Sequence, residues 1–137
     1  MPVLNIVQGD IFKSNHRHIV FAVNTEGAND AGFAGEVSRR YWPSLATIGN
    51  TPMGTVRSKR VDVRTFHAVT CHSLRDQNGW LETPDVVRRA LDEIDTEDTI
   101  GVVAIGAGMI GAMTGANPEA IIEGMNRSNK NVIVYHL

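Results

Sequence analysis

The sequence predicts an α/β domain in which a mixed β-sheet of about six strands lies between helices. Residues 18–24 (HIVFAVN) and 100–105 (IGVVAI) are nearly unbroken apolar runs, which are typical of strands covered on both faces. Thr83-Pro84-Asp85 and Asn117-Pro118-Glu119 each place a potential cap, a proline and an acid in the order that begins a helix. At this length we expect one domain, residues 1–137.

The other elements follow from local patterns. Residues 3–8 are predicted to form a strand that stops at Gly9-Asp10, where glycine permits a sharp turn. Apolar residues from 33 to 41 recur every four positions, which predicts an amphipathic helix that ends before Pro43. Three further strands are predicted at residues 54–61, 65–70 and 131–135, and the first two of these are expected to pair as a hairpin.

Composition and charge exclude several classes of protein. A formal net charge of −2 argues against a protein that holds a long polyanion through lysine and arginine. Cys71 is the only cysteine, and no cluster of side chains has metal-ligand spacing, so neither a disulfide within the chain nor a metal site is expected. Because the sequence has no basic leader and no apolar run of membrane length, we expect a cytoplasmic protein with no membrane partner and no cofactor.

A glycine-rich stretch follows the strand at 100–105. It contains Gly106-Ala107-Gly108-Met109-Ile110-Gly111, which matches the G-x-G-x-x-G pattern of dinucleotide-binding folds. That interpretation fails for three reasons. The stretch follows the penultimate strand, and the position about twenty residues later is Asn131 rather than an acid. The next helix is also not expected to begin before Asn117. We therefore expect a loop of about ten residues whose amides bind an anion such as pyrophosphate, or else a tight connection between helix and sheet.

A second loop of the same character favours anion binding. Residues 27–37 (GANDAGFAGEV) also lead from a strand end to a helix start. Ligands of open α/β sheets bind outside the carboxyl ends of the strands. Two such loops facing one crevice would enclose a diphosphate through main-chain amides, without any lysine.

Five stretches together resemble the macrodomain family, in particular its small single-domain branch, which includes terminal ADP-ribose glycohydrolases and ADP-ribose 1''-phosphate phosphatases. They are VQGDIF at 7–12, FAVNTEGANDAGFAGEVSRRYWP at 21–43, GTV at 54–56, AIGAGMIGA at 104–112 and VIVYHL at 132–137. The resemblance spans residues 7–137. It implies a three-layer α/β/α sandwich with a crevice for ADP-ribose.

The resemblance also implies roles for individual residues. Asp10 matches the aspartate that accepts a hydrogen bond from the adenine amino group, although a turn residue that caps its own backbone is the alternative. Asn24 matches the asparagine near the distal ribose, and residues 28–32 and 106–112 match the loops that hold the diphosphate and that ribose. The predicted ligand-binding residues are Asp10, Ile11, Asn24, Ala31, Gly32, Phe33, Ala34, Gly106, Ala107, Gly108, Met109, Ile110 and Gly111.

Departures from the family pattern bear on catalysis. The positions of the branch's catalytic lysine and aspartate hold Cys71 and Ile110, which cannot perform that chemistry. Asp30 interrupts a run that the family fills with glycine; it is a candidate to contact a ribose hydroxyl or to orient a water molecule, with a solvated turn residue as the alternative. With Asn24 and His72, Asp30 completes the set of candidate catalytic residues.

The pair Cys71-His72 and the nearby Trp80 allow two interpretations each. Adjacent strand residues point to opposite faces, so a Cys-His nucleophile is disfavoured and Cys71 is expected to be a buried small hydrophobe. His72 is a candidate acid–base group near the distal ribose or a terminal phosphate. Trp80 either covers the crevice or, as we expect, anchors the following helix on the sheet.

Three functional hypotheses follow. The first is binding of ADP-ribose or a related NAD-derived nucleotide, since the matched catalytic positions lack the necessary side chains. The second is a hydrolase that removes ADP-ribosyl groups or the terminal phosphate of ADP-ribose 1''-phosphate, with ADP-ribosylated protein or nucleic acid as partners. The third is a degenerate macrodomain that sequesters another nucleotide signal or acts as an interaction module.

Overall fold

The structure, a computed structural model, describes residues 4–29, 31–76, 79–106 and 109–136. Its strands in chain order are β1 (Leu4–Gln8), β2 (His18–Asn24), β3 (Val56–Val61), β4 (Arg64–His72), β5 (Ile100–Val103) and β6 (Val132–His136). Its α-helices are α1 (Gly32–Arg40), α2 (Thr83–Glu93), α3 (Met109–Thr114) and α4 (Pro118–Asn126), and two 3-10 helices cover Ile11–Lys13 and Pro43–Thr47.

The six described strands form one mixed sheet in the order β1-β6-β5-β2-β4-β3. Neighbouring strands run parallel except β3, which pairs antiparallel with β4 as the predicted hairpin. The predicted mixed sheet is therefore confirmed. Because five of the strands are parallel, their carboxyl ends meet at one edge, which is where α/β proteins place ligands.

Helices cover both faces of the sheet, which gives the predicted three layers. Alternation along β2 sends Ile19, Phe21 and Val23 toward α1, while Val20 packs on the opposite side with residues of α2 and α4. All four side chains belong to the two buried clusters, at 0% or 6% exposure. This two-sided burial explains why β2 is an almost continuous apolar run.

The stretch after β5 differs from the expected ten-residue loop. A short helix, α3, begins at Met109, so the expectation that no helix precedes Asn117 is wrong. The glycines favoured a loop, but a Cβ atom at Gly111 would lie 2.2 Å from the carbonyl oxygen of Gly106, so glycine serves close packing there. The other two arguments against a dinucleotide fold stand, and the strand order also differs from that fold.

Of the two helix caps predicted from a following proline, the structure contains one. Asn117 caps α4 as predicted, because its side chain accepts a hydrogen bond from the Ala120 N–H. Thr83 does not cap α2: the N-cap position is Glu82, and the Thr83 hydroxyl donates instead to the carbonyl of Cys71. A buried carbonyl at the end of β4 thus competes successfully for this hydroxyl.

Candidate functional site

An open cleft of about 810 Å³ lies at the edge of the sheet where β1, β5 and β6 end. Its walls come from the turn after β1, the first part of α1 and the ends of β5 and β6. The lining residues are Gly9, Asp10, Ile11, Phe12, Gly32, Phe33, Glu36, Arg39, Val103, Ala104, Tyr135 and His136. Four of the predicted ligand-binding residues, Asp10, Ile11, Gly32 and Phe33, therefore share one cleft.

Asp10 occupies the turn after β1 with its side chain exposed. Its Oδ1 accepts a hydrogen bond of 2.9 Å from the Phe12 N–H and so caps the 3-10 helix Ile11–Lys13. The turn-capping alternative is thus present in the structure. A carboxylate has a second oxygen, so capping leaves acceptor capacity for a ligand in the cleft.

The amino terminus of α1 opens into the same cleft. Its N-cap residue, Ala31, has no side-chain acceptor and makes no capping hydrogen bond. Gly32 and Phe33, in the first turn, line the cleft. First-turn amides have no partner within the helix, and they carry the positive end of the helix dipole, so this end of α1 suits an anion.

Stacked aromatic rings form the wall of the cleft beside α1. Phe12 and Phe33 stack with their centroids 4.8 Å apart, and the guanidinium of Arg40 lies 4.4 Å above the Phe12 ring. Phe33 also contacts the fully buried Phe21 at 5.5 Å between centroids. The wall is thereby tied to the core of the sheet.

Asn24, at the end of β2, uses both ends of its amide on the following loop. Its Nδ2 donates to the Ala28 carbonyl at 3.0 Å, and the Ala28 N–H donates to its Oδ1 at 2.9 Å. The side chain is 7% exposed. Asn24 therefore holds the shape of the loop that leads to α1, and its role near a ribose stays a prediction.

Cys71 and His72 are both buried at the end of β4. Burial raises the pKa of the Cys71 thiol to about 12, and the residue is fully buried, which confirms the expectation of a small core hydrophobe. Burial also lowers the pKa of His72 to about 4, an effect that the negative charge of Glu26 opposes. The imidazole of His72 stacks on the indole of Trp80 with centroids 4.2 Å apart.

Trp80 anchors the start of α2, as expected. It belongs to the buried cluster that contains Val86 and Val87 of that helix. Its Nε1–H donates to the Thr114 hydroxyl at 2.7 Å, so the indole also links α2 to α3. Since the indole covers His72, the acid–base role of His72 stays a prediction.

Glu26 was not singled out from the sequence, yet it joins two strand ends. Its carboxylate accepts hydrogen bonds from the Ser73 hydroxyl at 2.7 Å, the Leu74 N–H at 2.7 Å and the Thr25 hydroxyl at 2.8 Å. Burial alone would raise the pKa of Glu26, but these hydrogen bonds outweigh it and hold the pKa below its ordinary value. Only the fold brings residues 26 and 73 together, so local pattern gives no signal for this contact.

Several predicted site residues do not line the cleft, and others lie outside the residues that the structure describes. Ala34 packs on the buried cluster beside α1, and Gly106 packs against Ala116 and Ile121. Asp30, Ala107 and Gly108 lie outside the described residues, and the side chains of Met109 and Ile110 are not described either. The second glycine-rich stretch therefore approaches the cleft, in the described part of the chain, through Val103 and Ala104, which precede it.

The cleft residues that sequence reasoning missed come from known strand ends. Tyr135 and His136 end β6, and Val103 ends β5, at the same sheet edge as Asp10. Applying the strand-end rule to every parallel strand would have found them. Glu36 lies four residues after Gly32, and Arg39 lies three residues after Glu36, so these residues share one helix face.

Comparison with solved structures identifies proteins of similar fold. No family model matches the chain, and no curated protein matches it. Among solved structures, it superposes on the alphavirus P23pro-zbd with a TM-score of 0.72 and 17% identity, and all of the chain spans 22% of that protein. The macrodomain of Thermus aquaticus DarG superposes with a TM-score of 0.70 at 14% sequence identity. The match covers 100% of this chain and 99% of that one.

A third structure is the macrodomain of Trypanosoma brucei, solved in complex with ADP. It superposes with a TM-score of 0.67 at 12% identity, covering 96% of this chain and 63% of that one. At such low identity the likeness concerns the fold. It agrees with the α/β architecture described above, a mixed six-stranded sheet covered by helices. The chain therefore has the macrodomain fold.

Proposed function

We propose that this protein binds ADP-ribose or a related NAD-derived nucleotide in the cleft. The observation that carries the proposal is that the amino terminus of α1, whose N-cap residue Ala31 makes no side-chain hydrogen bond, and the carboxylate of Asp10 open into the same cleft. The first offers main-chain donors for a diphosphate, and the second offers an acceptor for an adenine amino group. The cleft volume is in the range typical of small-molecule sites.

The charges around the cleft are consistent with recognition through the backbone. Asp10 and Glu36 are acids among its lining residues, and Arg39 is a cation. Glu36 forms an exposed ion pair with Arg40 at 3.4 Å. Because the side chains of the described lining residues supply little net positive charge, a phosphate there depends on amides and on the dipole of α1.

The solved macrodomain of Trypanosoma brucei adds support from a ligand. That protein was solved in complex with ADP, which contains the adenosine and diphosphate parts of ADP-ribose. The same two parts are the ones for which the cleft of this protein offers partners. ADP-ribosylated proteins or nucleic acids remain predicted partners of such a site.

Titration calorimetry with ADP-ribose, inosine diphosphate ribose and ribose 5-phosphate tests the proposal. We expect ADP-ribose to bind and the inosine analogue, which lacks the amino group, to bind about 10- to 100-fold more weakly, since an unpaired acceptor costs about 1–3 kcal/mol. Asp10→Asn keeps an oxygen to cap Phe12 but places an NH₂ group where the second carboxylate oxygen lies. This variant should lose the preference for adenine.

The matched control is Asp95→Asn, which removes an exposed acid after α2 and leaves the cleft lining unchanged. It should bind ADP-ribose as the unmodified protein does. Absence of measurable ADP-ribose binding by the unmodified protein would refute the proposal. The assigned role of Asp10 is supported if the unmodified protein binds ADP-ribose more tightly than inosine diphosphate ribose and Asp10→Asn binds the two nucleotides with equal affinity.

A further inference from the structure

A hydrogen-bonded pair lies beneath the cleft. Tyr135 lines the cleft, and its hydroxyl lies 2.6 Å from Nε2 of His16. Nδ1 of His16 lies 3.2 Å from the carbonyl oxygen of Thr99, just before β5. The two rings meet edge to face, with centroids 5.4 Å apart. His16 thus connects the aromatic ring of the cleft to the backbone of the sheet.

The carbonyl of Thr99 fixes the direction of this chain of hydrogen bonds. A carbonyl oxygen only accepts, so Nδ1 of His16 carries the hydrogen and donates to it. In the neutral imidazole Nε2 is then an acceptor, and the Tyr135 hydroxyl must donate to it. The two hydrogen bonds and the edge-to-face contact of the rings together favour the observed orientation of the Tyr135 ring.

Gly101 makes room for the histidine. A Cβ atom at this position of β5 would lie 2.7 Å from Cδ2 of His16 and 3.1 Å from Cδ1 of Ile11. Glycine inside a strand weakens it and often marks a close approach of another group. Two kinds of observation thus concern the placement of His16. Gly101 leaves the space that the His16 ring occupies, and both ring nitrogens of His16 have a hydrogen-bond partner.

We propose that His16 is a positioning residue for ligand recognition: by accepting the Tyr135 hydroxyl it holds the Tyr135 ring as a fixed wall of the cleft. This inference rests on the proposed nucleotide binding. A ring that is already held in place loses less side-chain freedom when a ligand packs against it, so affinity rises without a new contact. His16 itself is outside the residues that line the cleft and acts through Tyr135.

Calorimetry on three variants tests the coupling. His16→Phe keeps an aromatic ring without nitrogens, Tyr135→Phe removes the hydroxyl, and the third variant combines both. We expect each single change to weaken ADP-ribose binding about 3- to 10-fold, the effect of one lost hydrogen bond. Because both changes break the same hydrogen bond, the double variant should be within about twofold of the weaker single variant.

Tyr41→Phe is the matched control for Tyr135→Phe, because it removes the other tyrosine hydroxyl of a chain that has two tyrosines. Gly101→Ala is a second route to the same effect: it keeps both partners but pushes His16 away, so it should mimic His16→Phe. Tyr41→Phe should bind ADP-ribose as the unmodified protein does. Multiplicative losses in the double variant would overturn the inference.

Tyrosine NMR in the absence of ligand supplies a readout that general destabilisation does not give. With ¹³C-labelled tyrosine, Tyr41→Phe assigns the two rings, and His16→Phe should then shift the Tyr135 signal while that of Tyr41 stays in place. An unmoved Tyr135 signal, or unchanged ADP-ribose affinity in His16→Phe, overturns the inference alone. An unmodified protein that binds no ADP-ribose overturns the proposed function instead.

Discussion

At the scale of single residues, Gly27 allows the loop after β2 to pack closely against the segment that precedes β3. A Cβ atom on Gly27 would lie 2.2 Å from the carbonyl oxygen of Gly49, and Gly27 also has a φ of +74°. Gly49 has a similar φ of +78° but open space around its Cβ position. We expect Gly27→Ala to lower the free energy of unfolding by about 2–4 kcal/mol, against about 1 kcal/mol for Gly49→Ala.

Urea unfolding of the two variants measures this difference, and Gly49→Ala is the control for backbone conformation alone. The pair separates steric contact from φ strain because only the first residue meets a backbone atom. Equal losses would show that the contact with Gly49 relaxes at little cost.

Single residues were predictable where their role is local. Asp10 at a strand end and Asn117 before a proline were identified from neighbouring sequence, and each caps a helical segment. The contact of Glu26 with Ser73 and the stack of His72 on Trp80 were not predictable in this way, because they join separate segments. Such contacts depend on strand order, which local patterns leave open.

At the scale of elements, Glu26 joins the loop after β2 to the segment after β4. Glu26→Gln replaces an ionised acceptor by a neutral amide that has only one acceptor oxygen, so some of the hydrogen bonds from Thr25, Ser73 and Leu74 are lost. We expect the free energy of unfolding at pH 7 to fall by about 1–2 kcal/mol, as for charged hydrogen bonds at a partly exposed site.

The loss should depend on pH. The pKa of Glu26 lies below its ordinary value in the folded protein, so its stabilising effect is present above pH 4.5 and is lost as the pH falls through the folded pKa. The difference between Glu26→Gln and the unmodified protein should therefore shrink as the pH falls below 4.5. Glu93→Gln, at an exposed position of α2, is the control and should change stability by less than about 0.5 kcal/mol. A difference that stays constant with pH would contradict this account.

Elements with a strong apolar period were predicted well, and those rich in glycine were not. β2 begins and ends where its apolar run predicts. The helix α3 was missed because Gly106, Gly108 and Gly111 suggested a turn, whereas Gly111 is needed for contact between α3 and Gly106. Glycine marks both turns and close approaches, and the sequence alone does not separate the two.

At the scale of the whole molecule, the apolar runs and the hairpin predicted the layers and the mixed sheet, but not the strand order. In that order β1 and β6, the two ends of the chain, lie side by side and place Asp10 beside His136. The cleft thus combines the ends of the first and last strands with residues of α1 and β5. A resemblance in both VQGDIF and VIVYHL was the signal that linked them.

Buried histidines make the stability of the whole molecule depend on pH. Burial lowers the pKa of both His67 and His72 to about 4, from an ordinary value of 6.5, and the pKa of His18, which is hydrogen-bonded to His67, is lowered as well, chiefly by burial. Between pH 6.5 and about 4 the unfolded chain binds protons that the folded chain does not, so stability falls as the pH falls through this window.

Urea unfolding between pH 7 and pH 5.5 measures this effect where the Glu26 carboxyl is ionised in both the folded and the unfolded chain. Each such histidine contributes at most about 1.4 kcal/mol per pH unit to the slope. His72→Gln removes one titrating group that lies under Trp80, so the slope should fall by up to one proton, whatever the stability of the variant at pH 7. Leu81→Gln, at an exposed position that carries no titrating group, is the control and should keep the slope of the unmodified protein. If His72→Gln also keeps that slope, the imidazole of His72 is protonated as readily in the folded chain as in the unfolded one, and its burial under Trp80 does not govern the acid sensitivity of the fold.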